Sequence, residues 1–144
     1  RGLGDVYKRQ ELQIAEDEAE IIRLIYDKFI HTNMGISAIA AWLKQHGYDI
    51  VEHNFSCRFG EIDLIARDGE YLVFVEVKYR KDNSSGYSLA AVNPAKQKTI
   101  CKVARYFLTV EYHNVDIPCR FDVAGIDGDE IHWVKNAFEY IAIL

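Results

Sequence analysis

Two short apolar runs, Ile62 to Ala66 and Tyr71 to Val77, flank Arg67-Asp68-Gly69-Glu70, and this arrangement constrains the chain more than any other part of it. Both runs are rich in branched and aromatic residues. Asp-Gly between such runs signals a two-residue hairpin, because a type I′ turn needs positive φ at both central positions. With Asp68 and Gly69 as the loop residues, Arg67 faces Glu70 and Asp63 lies opposite Phe74. Side chains alternate along a strand, so Phe74, Glu76 and Lys78 share one face and Asp63 points to it as well. Glu76 is then diagonal to Asp63, with backbones roughly 7 to 8 Å apart, a gap that two carboxylate side chains can close around one cation. Val73, Val75 and Val77 mark the second run as buried, where charges are costly unless paired or bound to metal. An ion network at a sheet edge would satisfy Glu76 and Lys78. Two convergent carboxylates, a lysine two residues along and a basic stretch beyond point instead to a site.

Helical patterns surround this hairpin. Residues 11 to 46 read as helix: Ile21, Leu24, Ile25, Phe29 and Ile30 recur at spacings of three and four, behind an acidic start at Glu16, Asp17, Glu18 and Glu20. A second short helix, Ser37 to Leu43, follows Gly35 and ends at Gly47 in C-cap fashion. After the polar loop Asp82 to Gly86, Asn93-Pro94 opens a helix that runs to about Leu108, with Asn as N-cap and Pro at the first helical position. Strands Arg120 to Ile126 and Ile131 to Val134 flank the turn Asp127-Gly128-Asp129-Glu130. The order helix, hairpin, helix, hairpin predicts an α/β or α+β sheet covered by helices.

The chain has 144 residues, 49% of them hydrophobic, enough to bury a real core. No run approaches the roughly eighteen apolar residues of a membrane span, and no leader resembles a secretion signal, so the expected compartment is the cytoplasm, with no membrane partner. Cys57, Cys101 and Cys119 show no zinc-site spacing and read as buried thiols. The five histidines fall into no ligand or nucleophile pattern. Net charge is −5, yet Lys78, Arg80, Lys81, Lys96, Lys98, Lys102 and Arg105 are offset by Asp82 alone within Lys78 to Arg105. Arg80, Lys81, Lys96, Lys98, Lys102 and Arg105 are therefore the candidate phosphate contacts of a nucleic-acid-binding surface. Tyr79, Tyr87, Tyr106 and Tyr112 lie near this stretch, as base-stacking rings or as packing.

Carboxylate oxygens suit Mg²⁺, which takes one or two protein carboxylates and completes its shell with water and phosphate. Asp63 and Glu76 are the candidate metal ligands, for Mg²⁺ or Mn²⁺. An ion there lowers the pKa of a bound water, and Lys78 orients that water or neutralises phosphate charge. The reaction class these groups suit best is phosphodiester hydrolysis.

Asp63 followed by Glu76-Val77-Lys78 resembles the PD-(D/E)XK nuclease motif. Asn54, Gly60-Glu-Ile-Asp-Leu-Ile-Ala66, Val73-Phe-Val-Glu-Val-Lys78, Ala91-Val-Asn93, Lys96-Gln97 and Cys119-Arg-Phe-Asp122 resemble the bacterial YraN family, over about residues 47 to 138. The resemblance implies a restriction-endonuclease-like mixed β-sheet flanked by helices over 47–144, and a DNA endonuclease with Asp63, Glu76 and Lys78 catalytic. It also carries over Gln97, which stands one helical turn past Asn93 and reaches the metal water or a phosphate unless it is a plain helix-surface glutamine. Related nucleases often pair, so a homodimer is implied as well. Glu61 is read as a structural pair turned away from Asp63, and Asp122 as structural. The family's first helix opens with a Gly-Glu pair whose glutamate joins the acidic site, and Ile36 stands at that position here. The alternative reading is thus a nucleic-acid-binding domain that keeps the fold without cleaving. Asp17 to Phe29 and Gly35 to Leu43 resemble a helical segment of large serine recombinases, without that family's catalytic domain, so 11–46 is expected to be an extra N-terminal helical segment. Residues 1–10, lacking an initiator methionine and any periodicity, are expected to be a non-native leader of translated adapter sequence.

Overall fold

The computed structural model describes residues 19–21, 33–80, 92–127 and 130–141. The chain divides into two compact units, Arg1–Asn33 and Met34–Leu144. Of the first, residues 19–21 are helical, and the leader and most of the recombinase-like segment lie outside the described residues.

The second unit is an α/β domain. Helix α1 covers 33–45. Strands β1 (Asp49–Cys57), β2 (Gly60–Asp68) and β3 (Tyr71–Arg80) follow, then helix α2 (Pro94–Phe107), which widens into a π-helical turn over Leu108–Tyr112, then β4 (Cys119–Asp127) and β5 (Glu130–Phe138). The five strands form one mixed sheet in sequence order, antiparallel except for the β3–β4 pair.

Gly35 does not precede α1 but sits inside it, where a β-carbon would press on Ile126 Cδ1 at 3.2 Å. The end of α1 is as expected: Gly47 takes φ 85, its N–H donates to Lys44 O, and the Tyr48 N–H donates to Leu43 O at 2.9 Å. These are the two bonds of a Schellman motif, which satisfies carbonyls the helix leaves open. Asn93 Oδ1 likewise accepts from the Lys96 N–H at 2.8 Å, with Pro94 behind it. The basic helix therefore starts where the sequence placed its start.

Two apolar cores cover the sheet. Ile65, Leu72, Phe74, Phe121 and Val123 pack against Ile100, Val103, Ala104 and Phe107 of α2. Leu64, Ala66, Val73, Val75 and Ala124 pack against Ile36, Ile39 and Leu43 of α1. Each fully buried aliphatic or aromatic side chain contributes about 1.5–3 kcal/mol, and β3 supplies such residues to both faces. That double burial is the expense Glu76 and Lys78 must answer for.

The hairpin register differs from the expectation. Asp68 pairs with Tyr71, Arg67 with Leu72 and Leu64 with Val75, so the loop residues are Gly69 and Glu70. Gly69 alone has positive φ, 59°, which is the pattern of a type II′ turn with glycine first, and it lets Asp68 join the ladder. The shift is two residues, so the side chains paired across this ladder keep their faces.

Gly60 opens β2 at φ 145, and a β-carbon there would lie 2.7 Å from Thr99 Cγ2 and 3.5 Å from Val103 Cγ2 of α2. Gly60→Ala is expected to cost about 2 kcal/mol from strain and overpacking together. Chemical denaturation measures it, and a midpoint equal to that of the parent protein would show that α2 has room to retreat.

Candidate active site

Asp63 and Glu76 are brought together at the point where β2 and β3 part. The ladder between these strands ends at Leu64–Val75. One rung further on, Asp63 Oδ2 accepts from the Val77 N–H at 2.8 Å, a carboxylate taking the place of a backbone carbonyl. Glu76 is therefore across from Asp63 rather than diagonal to it, closer than the sequence register implied. On the other side the β1–β2 ladder skips the rung of Asn54 and Asp63, and Asn54 adopts φ 51 there. Ile62 joins the α2-side core while Leu64 joins the α1-side core, so side-chain alternation resets at Asp63.

Glu76 lies on the α2 face beside Val123, two residues past the buried Phe74. Lys96 of α2 reaches it, with Nζ 3.6 Å from Oε1, the lysine 39% and the glutamate 15% exposed. Lys78 is half-buried next along this face, and Glu76 is the charge that supports its ammonium. The site thus gathers two carboxylates and two lysines where α2 presents its N-terminal, positive end.

The electrostatics follow from burial. Desolvation, then the charge of Asp63, push Glu76 up to about 7, against which Lys96 and Lys78 pull down. Desolvation also raises Asp63, opposed by the Val77 hydrogen bond and by Lys96, and assisted by Glu61. Lys78 is lowered by burial. The pair holds more negative charge than its surroundings comfortably bear at neutral pH. Folded Glu76 keeps its proton to about pH 7, whereas its ordinary value is 4.5. Its contribution to stability is therefore complete below about pH 4.5 and is lost as pH rises through 7. In a chelating buffer, Tm is expected to fall over that interval and to fall less in Glu76→Gln; parallel profiles for the two proteins would refute the assignment.

Other expected residues fall in varied places. The Gln97 side chain donates from Nε2 to Val92 O at 2.8 Å, closing the entry to α2, and it is Lys96 rather than Gln97 whose contact with Glu76 is formed. Lys98, Lys102 and Arg105 are exposed along α2. Arg80 ends β3, and its side chain, with Lys81 and Tyr87, lies outside the described residues. Glu61 is exposed, next to Ile62, which packs into the α2-side core, and its charge is still felt at Asp63. Among the described residues no ion pair holds Glu61. Ile36 is 1% exposed within the α1-side core, on the opposite face of the sheet from Glu76. Cys101 is buried as expected, but Cys57 and Cys119 are only half-buried. Cys119 donates from Sγ to Ile117 O, and burial pushes its thiol up to about 11.

Asp122 is structural and fully buried. It accepts from Arg120 Nε at 2.9 Å and Nη2 at 3.0 Å, Trp133 Nε1 at 3.1 Å and the Asn136 N–H at 2.9 Å. Arg120, which sequence reasoning did not single out, also reaches Asp68 at 3.0 Å and Tyr48 Oη at 3.3 Å, which ties the hairpin turn to β4 and to the end of α1. Its neighbour Asp122 was the available signal.

Among the described residues no cluster of three or more His, Cys, Asp or Glu side chains is spaced to hold a metal, and no helix is long and apolar enough to cross a membrane. Asp63 and Glu76 form a two-carboxylate donor set of the kind that suits a hard cation sharing its shell with water and phosphate.

Residues 37–126 match the sequence model described as "Uncharacterised protein family UPF0102". The chain is 45% identical over 100 residues to a UPF0102 protein of Lachnoclostridium phytofermentans, covering 69% of this chain and 85% of that one. It is 43% identical over 106 residues to one of Herminiimonas arsenicoxydans, covering 74% and 84%. A third, of Aeromonas hydrophila, is 47% identical over 98 residues, covering 67% and 75%. Asp63, Glu76, Lys78, Lys96 and Asp122 all fall inside the family match.

Proposed function

The chain belongs to the UPF0102 family, and on that footing we propose that its α/β domain is a metal-dependent phosphodiesterase acting on nucleic acid, an endonuclease of the PD-(D/E)XK class. The observation that carries this reading is the pairing of Asp63 with Glu76 where β2 and β3 part, with Lys78 and Lys96 at the same carboxylates. A mixed sheet with a parallel β3–β4 pair and a helix on each face is compatible with the restriction-endonuclease-like fold of that class.

Asp63 and Glu76 would hold Mg²⁺ or Mn²⁺, and their raised pKa values express the need for positive charge that such an ion meets. A bound ion makes hydroxide available from water near neutral pH and shields charge building on phosphate. The chain's own residues do the rest. The Val77 N–H fixes Asp63 at Oδ2, so one carboxylate is oriented before substrate arrives. Lys78 sets an ammonium beside Glu76, where a scissile phosphate would stand; burial makes it readier to part with a proton to the departing oxygen. Lys96, on a more exposed stem, supports Glu76 and can swing to a phosphate. Water adds at phosphorus, the ester P–O bond breaks, and the former ester oxygen leaves with a proton.

The test is cleavage of labelled single-stranded, duplex and branched DNA and of RNA in Mg²⁺, Mn²⁺ or EDTA. Cutting that needs the metal supports the proposal, and the panel names the substrate. Binding without cutting in any metal would favour a non-cleaving nucleic-acid-binding domain. Mn²⁺ is also expected to raise Tm at pH 8 in the parent protein and not in Asp63→Asn, as ligand binding to the folded state requires.

A further inference from the structure

The outer face of α2 carries cations and rings that the carboxylate site does not use. Ile100, Cys101, Val103, Ala104 and Phe107 turn inward, leaving Lys98, Lys102, Arg105 and Thr109 along the opposite side at spacings of four, three and four. Thr109 Oγ1 donates to Arg105 O at 2.8 Å, which keeps the row continuous into the π-helical turn. From Lys98 to Arg105 the row spans about 10 Å at 1.5 Å per residue. Beside it lies a groove of about 400 Å³ lined by Phe59, Lys102, Arg105, Tyr106, Thr109 and Tyr140. Phe59, on the β1–β2 turn, is 41% exposed and Tyr140 48%. The rings of Phe59 and Tyr106 meet edge-on at 6.0 Å, and the Arg58 guanidinium sits over Phe59 at 4.7 Å.

This composition is selective. Three rings, two lining cations, a third cation held on a ring, and no lining carboxylate occur together in a chain of net charge −5. Glu139 lines the neighbouring cavity instead. Exposed rings beside cations, with nothing acidic between, suit a polyanion that also offers flat π-faces. A duplex shows phosphates outward but keeps its bases stacked, so it would use the cations and leave the rings idle.

We infer that this groove docks a single-stranded segment of nucleic acid, its bases on Phe59, Tyr106 and Tyr140 and its phosphates on Lys102 and Arg105. The inference rests on the phosphodiesterase reading and gives its substrate a structure. Lys96, in the first turn of the same helix, touches Glu76, so the groove and the carboxylate pair are joined by α2.

The experiment is fluorescence anisotropy in EDTA with labelled oligothymidine and a blunt duplex of equal length, using the full chain, Phe59→Ala, and Lys102→Glu with Arg105→Glu. Circular dichroism checks that each is folded, which the exposure of these side chains favours. Oligothymidine should bind at least about tenfold tighter than duplex, and Phe59→Ala should weaken it roughly tenfold while leaving duplex binding unchanged. The double charge reversal should weaken both and flatten the salt dependence. Equal affinity for the two DNAs, indifference to Phe59→Ala, or equal competition by polyglutamate would overturn the inference, the last marking a groove for acidic peptide. Since EDTA removes cleavage, the two readings fail separately. Oligothymidine binding without metal-dependent cutting keeps the groove and sinks the hydrolase; metal-dependent cutting of duplex with Phe59→Ala fully active sinks the groove alone.

Discussion

Glu76→Ala is expected to reduce metal-dependent cleavage on the order of a thousandfold and, at pH 8, to raise Tm. The two effects share one cause. Desolvation and the neighbouring Asp63 charge make ionised Glu76 unfavourable in the folded chain, as its rise to about 7 expresses. Deleting the carboxylate relieves that repulsion and removes half of the donor set that would hold the cation. Lys96, 39% exposed, is left free to return to water at little cost. Stability gained with activity lost is the mark of a group kept for its chemistry. A Glu76 held only as part of a structural ion network predicts the reverse sign, a protein less stable without it and unchanged in cleavage. Glu76→Gln separates the terms further, since it keeps the shape and most of the packing while losing the charge. Nuclease assays in Mn²⁺ beside thermal melts in EDTA decide between the two, and a variant that melts lower and cuts as before would end the functional reading.

The site was legible because a strand has period two. The sequence puts the loop one residue early, at Asp68-Gly69 instead of Gly69-Glu70, yet the register then differs by two residues, and Glu76 and Lys78 keep the expected face. Glycine position alone did not separate the two turns, since Gly69 with positive φ serves either one. Strand β1 is not delimited by the sequence: its side chains are mostly exposed, so it carries little apolar alternation. The N-terminus of α2 was readable from Asn93-Pro94, and with it the position of Lys96. The contact of Lys96 with Glu76 was not, because it depends on how α2 crosses the sheet. The reset of side-chain alternation in β2 at Asp63 is likewise invisible in the sequence. Local chemistry fixed element starts and strand faces, while contacts between elements distant in sequence needed the fold itself.

Asp122→Ala should be the most damaging single change among these residues for stability, costing about 3–5 kcal/mol, without touching the carboxylate site. Asp122 has no exposed surface and accepts hydrogen bonds from Arg120, Trp133 Nε1 and the Asn136 N–H. Alanine leaves those donors unmet and the Arg120 guanidinium, 13% exposed, with Asp68 as its remaining anion. For a domain of this size the loss corresponds to a Tm lower by on the order of 10–20 °C. The damage comes from stranding the cation rather than from losing a bond of great intrinsic worth, so Arg120→Met with Asp122→Ala should be less destabilised than Asp122→Ala alone. A double-mutant cycle by chemical denaturation reads this directly, and strictly additive costs would refute the coupling. The same variants sharpen the division of labour between the two acidic positions. Well below its midpoint, folded Asp122→Ala should still cleave in Mn²⁺ because Asp63, Glu76, Lys78 and Lys96 remain in place. If it is folded and inactive, then Asp122 acts in the chemistry from the far side of the sheet, and the assignment of the site to the α2 face alone is wrong.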